Sequence, residues 1–160
     1  MENRIYNETL SSARTHSLFV TLTIVCLSLS TWRWFVSGLS AWSVVLTIFF
    51  AFFLFYSLYY RALKIRITPE TLQLTFGIIT WKVAISNIKS CHIDETSMWR
   101  IGGAGIHFTW LKGKYRAFWN FLEYPRVVVS LNKKHGAVHE IAFSTKQPEQ
   151  VMKIIQSRLS

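Results

Sequence analysis

The sequence predicts an α+β membrane protein. A two-helix transmembrane hairpin leads into an antiparallel β-barrel or sandwich of about seven strands, capped by a C-terminal α-helix. Three observations carry this. Leu39 to Tyr60 reads LSAWSVVLTIFFAFFLFYSLYY and holds no charged residue. About 20 such residues cross a hydrocarbon core as a helix, whereas a soluble core helix keeps one polar face. From Arg61 onward, short runs alternate apolar and polar residues between turn signals, the pattern of half-buried strands. The last stretch then changes to helical spacing.

Composition divides the same way. The chain is 51% hydrophobic and 16% aromatic, yet its formal net charge is +10. Most apolar density precedes residue 61. From Arg61 on there are 15 Lys plus Arg and 6 Asp plus Glu. Roughly 100 residues suffice for one small domain. Cys26 lies in the first apolar run and Cys91 in the second half. Two cysteines so placed form no disulfide framework and, lacking CxxC spacing, no structural zinc site.

Residues 1–16 are polar and mix charge signs through Glu2, Arg4, Glu8 and Arg14. They read as a cytoplasmic N-terminal arm, either a short interfacial helix or a loose segment. The apolar run that follows is too long for a signal peptide and lacks a small-residue cleavage site. The hairpin occupies residues 17–60, with spans at about 17–35 and 39–60. In the first span, Thr23, Cys26 and Ser30 share one helix face. Small polar residues so spaced either pack helix against helix or bond back to their own helix carbonyls. Trp32, Arg33, Trp34 and Trp42 mark one membrane interface, and Tyr59, Tyr60 and Arg61 the other, because indole, phenol and snorkelling cations favour that layer. Arg4, Arg14, Arg61, Lys64 and Arg66 flank one side of the hairpin and only Arg33 the other. The positive-inside bias then makes both termini cytoplasmic.

The domain spans residues 61–160 and begins without a linker. Leu63, Ile65 and Ile67 alternate with Lys64 and Arg66. A turn at Thr68–Thr71 precedes Leu72, Leu74 and Phe76. Strands follow at 79–85, 87–94, 105–111, 115–119, 127–131 and 137–143, with an irregular stretch at 95–101, a hairpin turn at Lys112-Gly113 and a polar turn at 132–136. Pro148 suits a first helical position, with Ser144 or Thr145 near enough to help cap it. Val151, Ile154, Ile155 and Leu159 share one helix face, so this helix is expected to plug an open end of a barrel.

Lys64 to Glu95, KIRITPETLQLTFGIITWKVAISNIKSCHIDE, resembles the bacterial pleckstrin-homology domain family. The similar elements are the I-T-x-E-x-L turn at Ile67–Leu72, the F-G-I-I hairpin at Phe76–Ile79 and the segment ending at Ile88. Arg100 to Ile106, RIGGAGI, is similar to the glycine-rich segment of small membrane-anchored members, which often carry two spans before the domain. The resemblance covers roughly residues 61–159. It implies a pleckstrin-homology-like domain and a bacterial inner (cytoplasmic) membrane location. Some members self-associate into rings. The family offers no catalytic residue to carry over, and the basic phosphoinositide loop of the eukaryotic domains has no match here.

The residues themselves argue against an enzyme. Gly102-Gly103-Ala104-Gly105 precedes a strand rather than a helix and fits no nucleotide-binding spacing. It reads as a turn or bulge requiring unusual backbone angles. The histidines, at 16, 92, 107, 135 and 139, include no HExxH pair and read as surface or rim residues. Asp94 and Glu95 are adjacent, which on a strand sends them to opposite faces. GxSxG is absent. No cofactor or metal is implied.

The remaining signal is basic and aromatic. Lys112, Lys114, Arg116, Arg126, Lys133 and Lys134 gather in the second half of the domain. They either attract anionic lipid or simply obey the positive-inside bias. Trp110 to Tyr124 holds large rings on both strand faces, so with Trp110, Tyr115 and Trp119 one face is expected to meet lipid or a partner protein. Expected partners are membrane lipids and other membrane proteins or a second copy, but not nucleic acid. The function expected is a non-enzymatic scaffold, accessory subunit or assembly factor. The alternative is a sensor of anionic headgroups.

Overall fold

The computed structural model describes residues 5–159, which form two compact units: 12–61, and 5–11 together with 62–159.

The first unit is a helical hairpin. Helix α1 runs Ala13–Ser37 and α2 runs Ala41–Tyr59. At 1.5 Å per residue they are about 38 and 28 Å long; both are long and apolar enough to cross a membrane. Each is N-capped by serine: Ser12 accepts from the Thr15 N–H and Ser40 from the Ser43 N–H. Gly38 ends α1 with φ 61°, and its N–H returns to the Trp34 carbonyl. The Ser43 hydroxyl donates to the Gly38 carbonyl at 2.9 Å, which closes the turn. At the other end of the seam, Phe19 packs on Phe53 and Tyr56. The two roles open to the small polar residues both occur, on different residues. Thr23 donates to its own helix at the Phe19 carbonyl, while Ser30 reaches Thr47 of α2 at 2.8 Å.

The second unit holds nine strands among the described residues. β1 (Tyr6–Ser11), β2 (Ala62–Ile67), β3 (Thr71–Phe76) and β4 (Ile79–Ala84) form one antiparallel sheet in that order. The expectation for residues 1–16 is corrected here. Residues 1–4 lie outside the described residues, 6–11 are a strand paired with β2, and α1 starts at 13. Glu8 fastens that strand by accepting from the Thr145 hydroxyl (2.6 Å) and the Lys146 N–H (2.9 Å). The domain is therefore not simply residues 61–160; it includes β1, and the helical hairpin is inserted between two adjacent strands.

β5 (Ile88–Ile93), β6 (Gly105–Leu111), β7 (Lys114–Asn120), β8 (Arg126–His135) and β9 (Val138–Ser144) form a second sheet, ordered β5-β8-β9-β7-β6. It is mixed, because β7 runs parallel to β9; a purely antiparallel sheet was expected. β9 enters between β7 and β8, which run in opposite directions, so one of its neighbours is parallel. The polar stretch at 132–135 extends β8 and does not form a turn by itself. The two sheets face each other through contacts such as Phe76 with Phe121 and Trp81 with Trp119. Alternation puts Leu63, Ile65, Ile67, Leu72, Leu74 and Phe76 inside from the first sheet, and Trp119, Val127, Val129, Ile141 and Phe143 from the second.

The outer face of the second sheet is covered too. The short helix α3 (Met98–Ile101) closes over Phe118, Val128 and Ala142. Gly102 and Gly103 carry φ of 89° and 111°, so the glycine segment is a turn that lets the chain double back into β6. Helix α4 (Pro148–Gln156) packs on β5 and β8, burying Val151 and Ile155. Its approach is shaped by Thr145, which accepts from the Gln147 N–H.

Candidate interaction surface

Because both faces of the central strands β7, β8 and β9 are largely buried, three residues expected at a lipid or partner surface lie inside. Trp119 is fully buried, and Arg116 and Arg126 are 7% exposed. The two arginines instead belong to an ion-pair network on the outer sheet face. Arg116 pairs with Glu140 at 2.6 Å and with Asp94 at 3.2 Å; Arg126 pairs with Asp94 at 2.8 Å. Arg126 also donates to the Thr96 carbonyl. Glu140 further accepts from Lys114 and Ser130. The β7–β9 register puts Arg116 opposite Glu140 and the β8–β9 register puts Ser130 there, so the sheet itself assembles the group.

Burial alone would raise the pKa of both carboxyls. For Asp94 the hydrogen bonds from Thr96 and Arg126 outweigh it, and for Glu140 those from Lys114 and Arg116 do. Both carboxyls end below their ordinary values. They are ionised, paired and pinned, which leaves neither free to move a proton. His107 stacks flat on Phe118 at 5.0 Å. Burial, with the Arg126 charge behind it, holds its imidazole below its ordinary pKa, hence neutral. Burial pushes the Cys91 thiol up to about 12, so it carries no thiolate near neutral pH. No three of His, Cys, Asp and Glu come together as a metal site among the described residues.

The other expected residues do converge. β7 and β9 are parallel, so the β6–β7 and β8–β9 turns lie at the same end of the sheet. That end carries Lys112, Lys114, Lys133 and Lys134, all exposed, with Trp110 65% exposed and Tyr115 half-buried beneath it. Lys114 is partly spent on Glu140. Phe108, 45% exposed, stacks on Tyr115 at 5.8 Å. Beside this end opens a cleft of ≈ 610 Å³, whose walls include Asp94, Arg100, Trp110, Leu111 and Lys112. Trp99, 97% exposed, sits next to Arg100 on α3.

Sequence reasoning missed Trp99, Phe108 and Glu140. Trp99 falls in a stretch without periodicity. Glu140 did leave a signal, as the single acid inside the apolar run from Val138 to Phe143. Among the membrane anchors, Trp32, Trp34, Trp42 and Tyr59 are exposed on the helices and Arg33 is half-buried. Arg61 is exposed and donates to the Ser57 carbonyl. Tyr60 departs from the expectation. It is buried and stacked on Tyr56, so its ring does not face outward.

In comparison with known proteins, no family model matches the chain and no curated protein is similar to it.

Proposed function

We propose that this chain is a non-enzymatic, membrane-anchored association module, acting as a scaffold, accessory subunit or assembly factor of a membrane protein complex. The observation that carries the reading is the exposed pair Trp110 and Phe108 on β6, with Lys112 beside them and Lys133 and Lys134 at the same end of the sheet. Exposed aromatics beside a cation suit a protein contact, and the Asp94 and Glu140 carboxylates are locked in ion pairs. A pleckstrin-homology-like fold is part of the proposal. Two facing sheets and a C-terminal helix support it; the parallel β7–β9 pair departs from it. Placement in a bacterial inner membrane, with two spans and both termini cytoplasmic, rests on the family resemblance and on the Lys and Arg flanking the hairpin.

A photo-crosslinking amino acid placed at Trp110 in the full chain, in its native membrane, tests this. Adducts with another membrane protein, absent when the probe sits at Lys153 on α4, are the expected result. A probe at Trp110 that yields no adduct above that control overturns the reading. Lipid adducts favour the second reading, a sensor of anionic headgroups. Trp99, almost wholly exposed beside Arg100, is the observation behind it, since indole and cation pair well at a headgroup layer. The burial of Arg116 and Arg126 weakens it by shrinking the basic face.

A further inference from the structure

The two sheets have four edges, and three are guarded. β1 has polar Asn7, Glu8 and Thr9 at its centre, with Glu8 tied to the loop before α4. β4 presents exposed Lys82 in mid-strand. β5 carries Lys89 and an irregular register between Ile88 and Ser90, and α4 lies against it, with Gln156 donating to the Cys91 carbonyl at 3.3 Å. Charges, irregular register and covering helices are the devices that stop a sheet edge from recruiting another strand.

β6 has none of them. Its seven residues, GIHFTWL, include no charged residue and no proline, and they pair with β7 in unbroken register. Among the described residues it has no other strand neighbour, so one row of backbone donors and acceptors faces outward. Phe108 and Trp110 flank that row, exposed. Its far end opens on a cleft whose walls carry Trp110, Leu111, Lys112 and Arg100, with Glu95 as the one exposed acid. Lys112 itself has φ 49°, where glycine or asparagine is at home. A lysine held there keeps a cation at the end of an open strand.

We propose that β6 is the docking edge for an extended, acid-bearing segment of another protein, added to the second sheet as a strand. The proposal rests on the association reading above and supplies its surface. Backbone pairing gives the affinity and alternate apolar residues pack on Phe108 and Trp110, the mode of strand addition. Acidic residues just beyond the added strand meet Lys112 and Arg100. A second copy is the poorer occupant, because it brings the same +10 and like charges repel.

The full chain in nanodiscs of neutral phosphatidylcholine is titrated against a fluorescent, end-blocked heptapeptide, Glu-Glu-Val-Thr-Val-Thr-Val. Binding about tenfold tighter than a Lys-Lys-ended version is expected, with the difference fading in salt. N-methylation of alternate peptide bonds abolishes binding, because it removes the pairing N–H groups. Trp110→Lys, at an exposed site, also abolishes it. Lys112→Asn suits the turn, keeps the fold and reduces the preference for acid. Equal binding by the N-methylated or the Lys-ended peptide overturns the proposal. So does a native mass of a dimer that Trp110→Lys converts to monomer, which assigns the edge to a second copy. If no peptide binds while the Trp110 crosslink still forms, the strand-addition proposal fails and the association reading stands.

Discussion

Glu140 shows how much one side chain can hold. Its carboxylate joins three strands by accepting from Lys114 and Arg116 of β7 and Ser130 of β8. Burying such charges is costly, so the group adds little net stability over a well-packed apolar core. Removing one partner is a different matter, because Arg116 is left buried and half-paired. Glu140→Gln is expected to destabilise the domain by about 3–5 kcal/mol, a large share of the about 5–15 kcal/mol typical of a domain. Thermal unfolding of the full chain in detergent measures it. The carboxyl's pKa is depressed in the folded state, so its contribution is complete above the ordinary carboxylate pKa and is lost as pH falls through the lower folded value. The gap between wild type and Glu140→Gln should therefore close on acidification. A gap that stays constant down to about pH 3 would mean that packing, not charge, carries the effect. Wild-type stability should begin to fall sooner, below about 6.5. Unfolded His107 takes a proton there and the buried ring resists it.

At the scale of elements, the helix hairpin turns on Thr47. Its hydroxyl donates to the Ser43 carbonyl and meets Ser30 at 2.8 Å and the Trp34 indole N–H at 3.3 Å. Thr47→Val keeps the shape and removes all three contacts. A loss of about 0.6 kcal/mol in helix association is expected for a bond of this kind in lipid. Denaturant unfolding in bicelles reads it, and Ser30→Ala made on top of Thr47→Val should add almost nothing, since the partner is already gone. Full additivity would place the two hydroxyls in separate roles. This seam was half legible in the sequence. Thr23, Cys26 and Ser30 could be put on one face, but only the register with α2 decides which hydroxyl reaches across. Strand β1 was not legible. Its buried residues, Tyr6 and Leu10, are four apart, a spacing a helix shares, and its partner β2 lies beyond both spans. The other strands of the first sheet, β2, β3 and β4, could be read because one face is wet. In the second sheet β7, β8 and β9 are covered on both faces, so Arg116 and Arg126 read from the sequence as surface cations although Asp94 and Glu140 pair with them.

For the whole molecule, the governing fact is that Ser11 and Ala62 are cross-strand partners. Fifty residues of helical hairpin leave and re-enter the sheet at one rung of the β1–β2 ladder. Residues 5–11 and 62–159 must therefore lie on the same side of any membrane the hairpin crosses. A fragment starting at residue 62 lacks β1 and leaves β2 a bare edge. It also uncovers the core where Tyr6 and Leu10 sit, at about 1.5–3 kcal/mol for each large side chain. A domain of ordinary stability does not tolerate that loss comfortably. The same rung offers a remedy, since cross-strand partners can be joined by a two-residue Asn-Gly turn. Replacing residues 12–61 with that turn should give a detergent-free domain that unfolds cooperatively, about 3–6 kcal/mol more stable than residues 62–160 alone. Denaturant titration of the two chains decides it. Equal stability would mean that β1 is a passenger on the sheet. The expected gap would mean instead that the domain is completed only once the hairpin has returned the chain to the side it left, so that correct insertion of the helices is a condition of folding the rest.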